Sequence, residues 1–254
     1  MLMCLSAAII GVLVFLRKQS LLGESLSHAA YPGVIIAIVC HSFFIDSGDE
    51  VYLTVFILSG AFISAFIGLY LIFFLEKFFR IRHDSAMCFV LACFFGLGVT
   101  LASRVQYTHT QLYAKVQAYL YGQAATMTDI HVYTYGGIAF LVILFVSFFY
   151  KELQVVNFDR DFALSLGIKT KWIEALIFFF TVLAITVGLR SVGVVLMSAM
   201  LIAPAAAARQ YTNHLGLMFV LSGFFGLLSG FFGVFFSVNL TSHLQNTWSD
   251  LYIS

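Results

Sequence analysis

The sequence predicts an all-α polytopic membrane protein of about eight transmembrane helices, and three observations carry this. Of 254 residues, 61% are hydrophobic and only 10% charged, with mean hydropathy +0.99, more apolar surface than a water-soluble domain of this length hides. Apolar runs of the length a helix needs to cross the hydrocarbon core recur along the whole chain. Lysine and arginine fall unevenly between alternate loops, as they do in polytopic proteins.

The apolar runs lie near 1–16, 21–40, 51–75, 85–103, 132–150, 172–189, 192–208 and 215–237. The first lacks a basic leader and carries its charges, Arg17 and Lys18, after the apolar stretch, so it reads as a span rather than a cleaved signal peptide. Placing Arg17 and Lys18 in the cytoplasm fixes every later loop. Lys77, Arg80, Arg82, Lys151, Arg160, Lys169, Lys171 and Arg209 then join them inside, while Arg104, Lys115 and Arg190 lie outside, with both termini.

Two loops are long enough to carry structure. The outer one, 104–131, is rich in Tyr, Gln, Thr and Gly and reads as short interfacial helices with tyrosines at headgroup level. The cytoplasmic one, KELQVVNFDRDFALSLGIKTKW, contains a short capped helix within 157–168: Asp159 starts it, Phe162, Leu164 and Leu166 pack, and Gly167 stops it. A solvated connector and a docking element are both open readings of that helix. On the last span Gly223, Gly226, Gly230 and Gly233 recur every three or four residues beside Ser222 and Ser229, a nearly bare backbone face suited to close helix packing or a dimer seam.

Several classes drop out. Net charge is +1 with no basic patch interleaved with aromatics, so no nucleic-acid partner is expected. Cys4, Cys40, Cys88 and Cys93 fall in or beside apolar runs without metal-ligand spacing and read as small apolar residues. No HExxH motif supports an intramembrane metalloprotease, and no GxxxxGK[ST] motif supports ATP hydrolysis by this chain. The chain is therefore not read as an enzyme.

Against this background Glu24 and His28 stand out. They are four residues apart on one face of the second apolar run, and ionisable groups at such depth cost on the order of 3 kcal/mol unless they find partners. A simple Glu–His lock between helices is the competing reading. Pro32, with Gly33 after it, leaves the carbonyl of His28 without its helical donor, which predicts a helix break beside the pair. Carboxylate plus imidazole suits Mn(II), Fe(II) or Zn(II) and fits Cu(I) poorly. Two ligands are too few for a structural site, whereas a symmetric dimer would double them around a shared axis.

RKQSLLGESLSHAAYPGVIIA, DSAMCFVLACFFGLGV, FDRDFALSLGI and VGVVLMSAMLIAPAAAARQ follow one another along the chain. They closely resemble four blocks, in the same order, of the membrane permease of the manganese, zinc and iron ABC importers, the first being similar to that family's Arg-rich GD-x-x-SHA-x-x-PG segment. The resemblance implies a single permease domain over 1–254 with the fold of type II ABC importer permeases such as the vitamin B12 importer. It implies that Glu24 and His28 are the metal-coordinating pair. It further implies that Asp159, Phe162, Ala163, Leu166 and Gly167 belong to a coupling helix seated on a cytoplasmic ATPase dimer.

The expected function is ATP-driven import of Mn(II), Zn(II) or Fe(II) across the cytoplasmic membrane of a bacterium. No cofactor is held permanently. The expected partners are a second copy or a related permease, the ATPase, an extracytoplasmic metal-binding protein and membrane lipid. Relative to the family pattern, Glu24 stands where Asp is usual, the first helix begins abruptly, and a final apolar helix is expected to be missing. A passive divalent-cation channel and a shortened, non-transporting scaffold are the alternatives.

Overall fold

In the computed structural model, which describes residues 1–44, 50–108, 110–122 and 129–253, all elements are helical among the described residues. They are α1 (Leu2–Leu16), α2 (Leu21–Phe44), α3 (Glu50–Phe79), α4 (His83–Thr108), α5 (Thr110–Tyr121), α6 (Asp129–Phe148), α7 (Tyr150–Phe158), α8 (Arg160–Ser165), α9 (Thr170–Val192), α10 (Val194–Tyr211) and α11 (Leu215–Ile253). Six of them, α2, α3, α4, α9, α10 and α11, contain stretches long and apolar enough to cross a membrane. Val132–Phe148 of α6 and Tyr150–Phe158 together form a seventh such unit, bent by 72°. The remaining apolar run, 1–16, forms α1, whose 15 residues fall just short of a full crossing. By length and composition the chain is a multi-pass membrane protein.

The helix at the centre of the bundle is α2, with 78% of its apolar stretch buried against 28% for α4 and α11. Small residues let its neighbours approach. Gly33 lies against Gly60 and Ser64 of α3, and a Cβ on Gly60 would come within 2.8 Å of the Gly33 carbonyl oxygen. Further down the same seam the Ser64 hydroxyl donates to the Ala29 carbonyl at 2.6 Å, and the Ser25 hydroxyl reaches the Met87 carbonyl of α4 at 3.1 Å.

Buried almost continuously from Met3 to Val14, α1 packs against α6, α9, α10 and α11. The glycine face of α11 meets it: Gly226 and Gly230 lie against Ala8 and Cys4, and the Ser222 hydroxyl donates to the Ala8 carbonyl at 2.8 Å. The stripe is thus a packing seam within the chain up to Gly230, while Gly233 faces open space.

Polar residues mark the two ends of the bundle. At one end Arg17 Nε donates to Asn157 Oδ1 at 2.9 Å and its guanidinium lies 5.8 Å from the Phe178 ring centroid, while Arg160 pairs with Glu174 at 3.3 Å. Burial pushes the Arg17 pKa below the usual arginine range. At the other end Arg190 of α9 meets Thr54 of α3 and Tyr119 of α5. Cations assigned to opposite sides by the charge count therefore sit at opposite ends.

The outer loop differs from its expectation. Interfacial helices would leave their tyrosines at headgroup level, yet α5 packs into the bundle against α2, α4, α9 and α10, with Val116 and Tyr119 buried. The reason lies in its composition: Leu112, Val116, Tyr119 and Leu120 give one side of a short polar helix enough apolar surface to bury. Residues 123–128 of that loop lie outside the described residues.

Candidate functional site

Glu24 lies in the first turn of α2 and is exposed; His28 follows one turn later and is half-buried. Tyr31 and Ile35 continue the same face and are buried. The lower part of this face is open and the upper part is covered. Tyr31 fills the space beside Gly98 of α4.

The His28 ring is set by Phe95 of α4, which meets it edge to face with centroids 5.0 Å apart. Its Nδ1 is buried and has no hydrogen-bond partner, which leaves Nε2 as the nitrogen available to an ion. Glu24 lies one turn before this imidazole on the same helix. No group of three or more His, Cys, Asp or Glu residues that could hold a metal ion occurs among the described residues. Phe95 was not singled out from the sequence, where it is one of 29 phenylalanines.

The expected break at Pro32 and Gly33 is not an interruption of the helix. α2 runs continuously through both, and the discontinuity reduces to one hydrogen bond that the proline cannot donate. Packing explains the continuity: Ala29, Ala30, Val34 and Ile35 are buried around the proline, and Gly33 serves the α2–α3 contact rather than a break.

The cytoplasmic helix forms as its sequence indicates. The Asp159 side chain accepts from the Phe162 amide at 2.9 Å as the N-cap of α8. At the other end Gly167 takes φ +76, and the Ile168 amide bonds the Ala163 carbonyl at 3.1 Å in the manner of a Schellman stop. The packing expected of Phe162, Leu164 and Leu166 is corrected: each is more than half exposed, and Ala163 is the buried residue. Six residues make fewer than two turns, so one small side chain faces the bundle and the larger apolar ones face away from it. Glu174 ties this helix to α9 through Arg160.

A family model described as the ABC 3 transport family matches residues 1–243. The chain belongs to that family. Among curated relatives of this ABC 3 chain, a protein of Chlamydia pneumoniae named "Probable metal transport system membrane protein" is 42% identical over 89% of this chain and 50% of its own length. The manganese transport system membrane protein MntC of Bacillus subtilis is 34% identical over 87% of the chain and 49% of its own length. The zinc transport system membrane protein TroC of Treponema pallidum is 36% identical, with 87% and 72% covered.

The chain thus spans about half the length of the Chlamydia and Bacillus relatives. The names of these relatives specify manganese and zinc; none specifies iron. Among solved structures, PsaBC from Streptococcus pneumoniae in complex with Fab superimposes with a TM-score of 0.79 at 25% identity, over 94% of this chain and 80% of that one. The all-helical permease fold expected from the sequence is the fold found.

Proposed function

We propose that this ABC 3 chain is the permease subunit of an ATP-driven importer of Mn(II) or Zn(II). The observation that carries this reading is the pairing of Glu24 and His28, one carboxylate and one available Nε2, on the open part of an otherwise enclosed α2. Relatives named for manganese and zinc transport support the choice of cargo.

The metal is cargo, so the ligand set has to release it as well as hold it. Two ligands from one chain bind weakly, and a second copy would bring the set to two carboxylates and two imidazoles. Exposed small residues on α4, namely Ala92, Gly96 and Thr100, recur every four residues on the helix that carries Phe95, which suits close approach of another helix. Phe95 fixes the His28 ring so that Nε2 does not have to be ordered when the ion arrives.

ATP hydrolysis would come from a separate subunit docked on α8. The exposed Phe162, Leu164 and Leu166, with the two caps and the Arg160–Glu174 pair, make a rigid apolar knob linked to α9. A passive channel has no use for such a knob. An extracytoplasmic binding protein would deliver the ion at the Arg190 end.

Uptake of Mn(II) and Zn(II) into proteoliposomes or cells carrying the complete importer tests this reading. Glu24→Gln and His28→Ala should each reduce uptake by at least about tenfold, the scale for removing a liganding or orienting group at a metal site. Wild-type uptake in both variants would reject the assignment.

A further inference from the structure

The cation at the outer end of α9 has partners on two other helices and no role in metal ligation. Arg190 Nη1 donates to Thr54 Oγ1 of α3 at 2.6 Å and to the Tyr119 hydroxyl of α5 at 3.3 Å. Its guanidinium carbon also lies 5.6 Å from the Tyr119 ring centroid. Tyr119 is buried, and that burial raises its phenol pKa above the usual range, so Arg190 meets a neutral hydroxyl.

A second contact holds the same helix. Gly122, which ends α5, and Gly193, between α9 and α10, have φ of +78 and +82 and pack backbone to backbone. A Cβ on Gly193 would lie 2.7 Å from the Tyr121 carbonyl, and one on Gly122 would lie 2.6 Å from the Gly193 amide nitrogen. The atoms nearest each of these Cβ positions are backbone atoms of the other segment. The same α5 also packs against α2, the helix that carries Glu24 and His28.

We propose that Arg190 is a positioning residue of the transport pathway: by tying Tyr119 of α5 to Thr54 of α3, it keeps α5 seated against α2, the helix of the Glu24–His28 pair. The glycine contact lets α5 lie flat against the α9–α10 junction, and the arginine supplies the directional hold. Loss of the Tyr119 contact loosens α5, which keeps its apolar packing through Val116, Leu112 and Leu120. The relevance to transport rests on the permease reading above, but the hold itself is a property of the chain and is measured without transport.

The test is amide hydrogen exchange on the purified full chain in lipid nanodiscs, comparing wild type with Arg190→Met, Arg190→Lys and Tyr119→Phe. Met keeps much of the length and loses charge and donors; Lys keeps a cation over the Tyr119 ring. The expected result is exchange about tenfold faster across α5 in Arg190→Met, the scale for losing hydrogen bonds to a charged donor. α1 and α11 should keep wild-type rates, Lys should recover most of the protection, and Tyr119→Phe should fall between wild type and Met.

Three results would overturn the proposal: unchanged α5 exchange in Arg190→Met, acceleration spread evenly over all helices, or equal acceleration in the Met and Lys variants. Absence of metal uptake by the wild-type importer would instead reject the permease reading and leave the exchange result standing.

Discussion

The Tyr31 ring of α2 occupies the space that a side chain on Gly98 of α4 would take: a Cβ there would collide with Cδ1 and lie 2.9 Å from Cε1. Tyr31 is one turn above His28 on the same face, so this contact closes the face just above the candidate ligands. The fit is between an aromatic ring and bare backbone, with no slack on either side. Gly98→Ala should therefore destabilise the bundle by about 1–3 kcal/mol, the usual cost of overpacking, measured as a lower unfolding midpoint of the purified chain. Gly137→Ala on α6, another helical glycine but one with open space beside it, is the control and should not lower the midpoint.

Acidification should weaken Mn(II) and Zn(II) binding. An imidazole ligates only when neutral, so protons compete with the ion at His28 and apparent affinity falls as pH drops through the imidazole range. Titrations of metal binding at pH 8 and at pH 5.5 check the sign. Equal affinity at both would argue that His28 is not a ligand.

Phe162→Ala and Leu166→Ala should lower metal-dependent ATP hydrolysis in the assembled importer while leaving thermal stability near wild type, because both side chains are exposed in the chain. Ala163→Leu should do the reverse to stability, since Ala163 is fully buried against the bundle. An unfolding midpoint for Phe162→Ala as low as that for Ala163→Leu would mean the phenylalanine packs internally after all.

Asp159→Ala should cost about 1 kcal/mol of local stability by removing the acceptor for the Phe162 amide. Faster amide exchange confined to α8 is the readout. Asp159→Asn or Asp159→Ser, which can also cap, should restore protection.

Much of this was legible in the sequence for physical reasons that name themselves. The apolar runs become helices because backbone groups in lipid have to pair within their own segment, so length and hydropathy alone locate them. Asp159 and Gly167 bound α8 because a side-chain acceptor and a left-handed position are strictly local requirements. Pro32 was misleading because the missing donor is local whereas helix continuity is decided by neighbours, here Gly60 of α3 against Gly33.

Long-range partnerships left no sequence signal. The Arg17–Asn157 hydrogen bond joins residues 140 apart, and the Arg190–Thr54 bond joins residues 136 apart. Nothing near Phe95 distinguishes it from the other phenylalanines as the ring that meets His28. The docking of α5 depends on a surface assembled from four other helices, which no single run reveals.

The most direct test of Glu24 and His28 as the cargo site is equilibrium binding of Mn(II) and Zn(II) to the purified chain, with metal content and oligomeric state measured on the same sample. Wild type should bind one ion per two chains, while Glu24→Gln and His28→Ala should bind none at the same concentration and keep wild-type helical content. Unchanged metal binding in both folded variants would contradict the assignment.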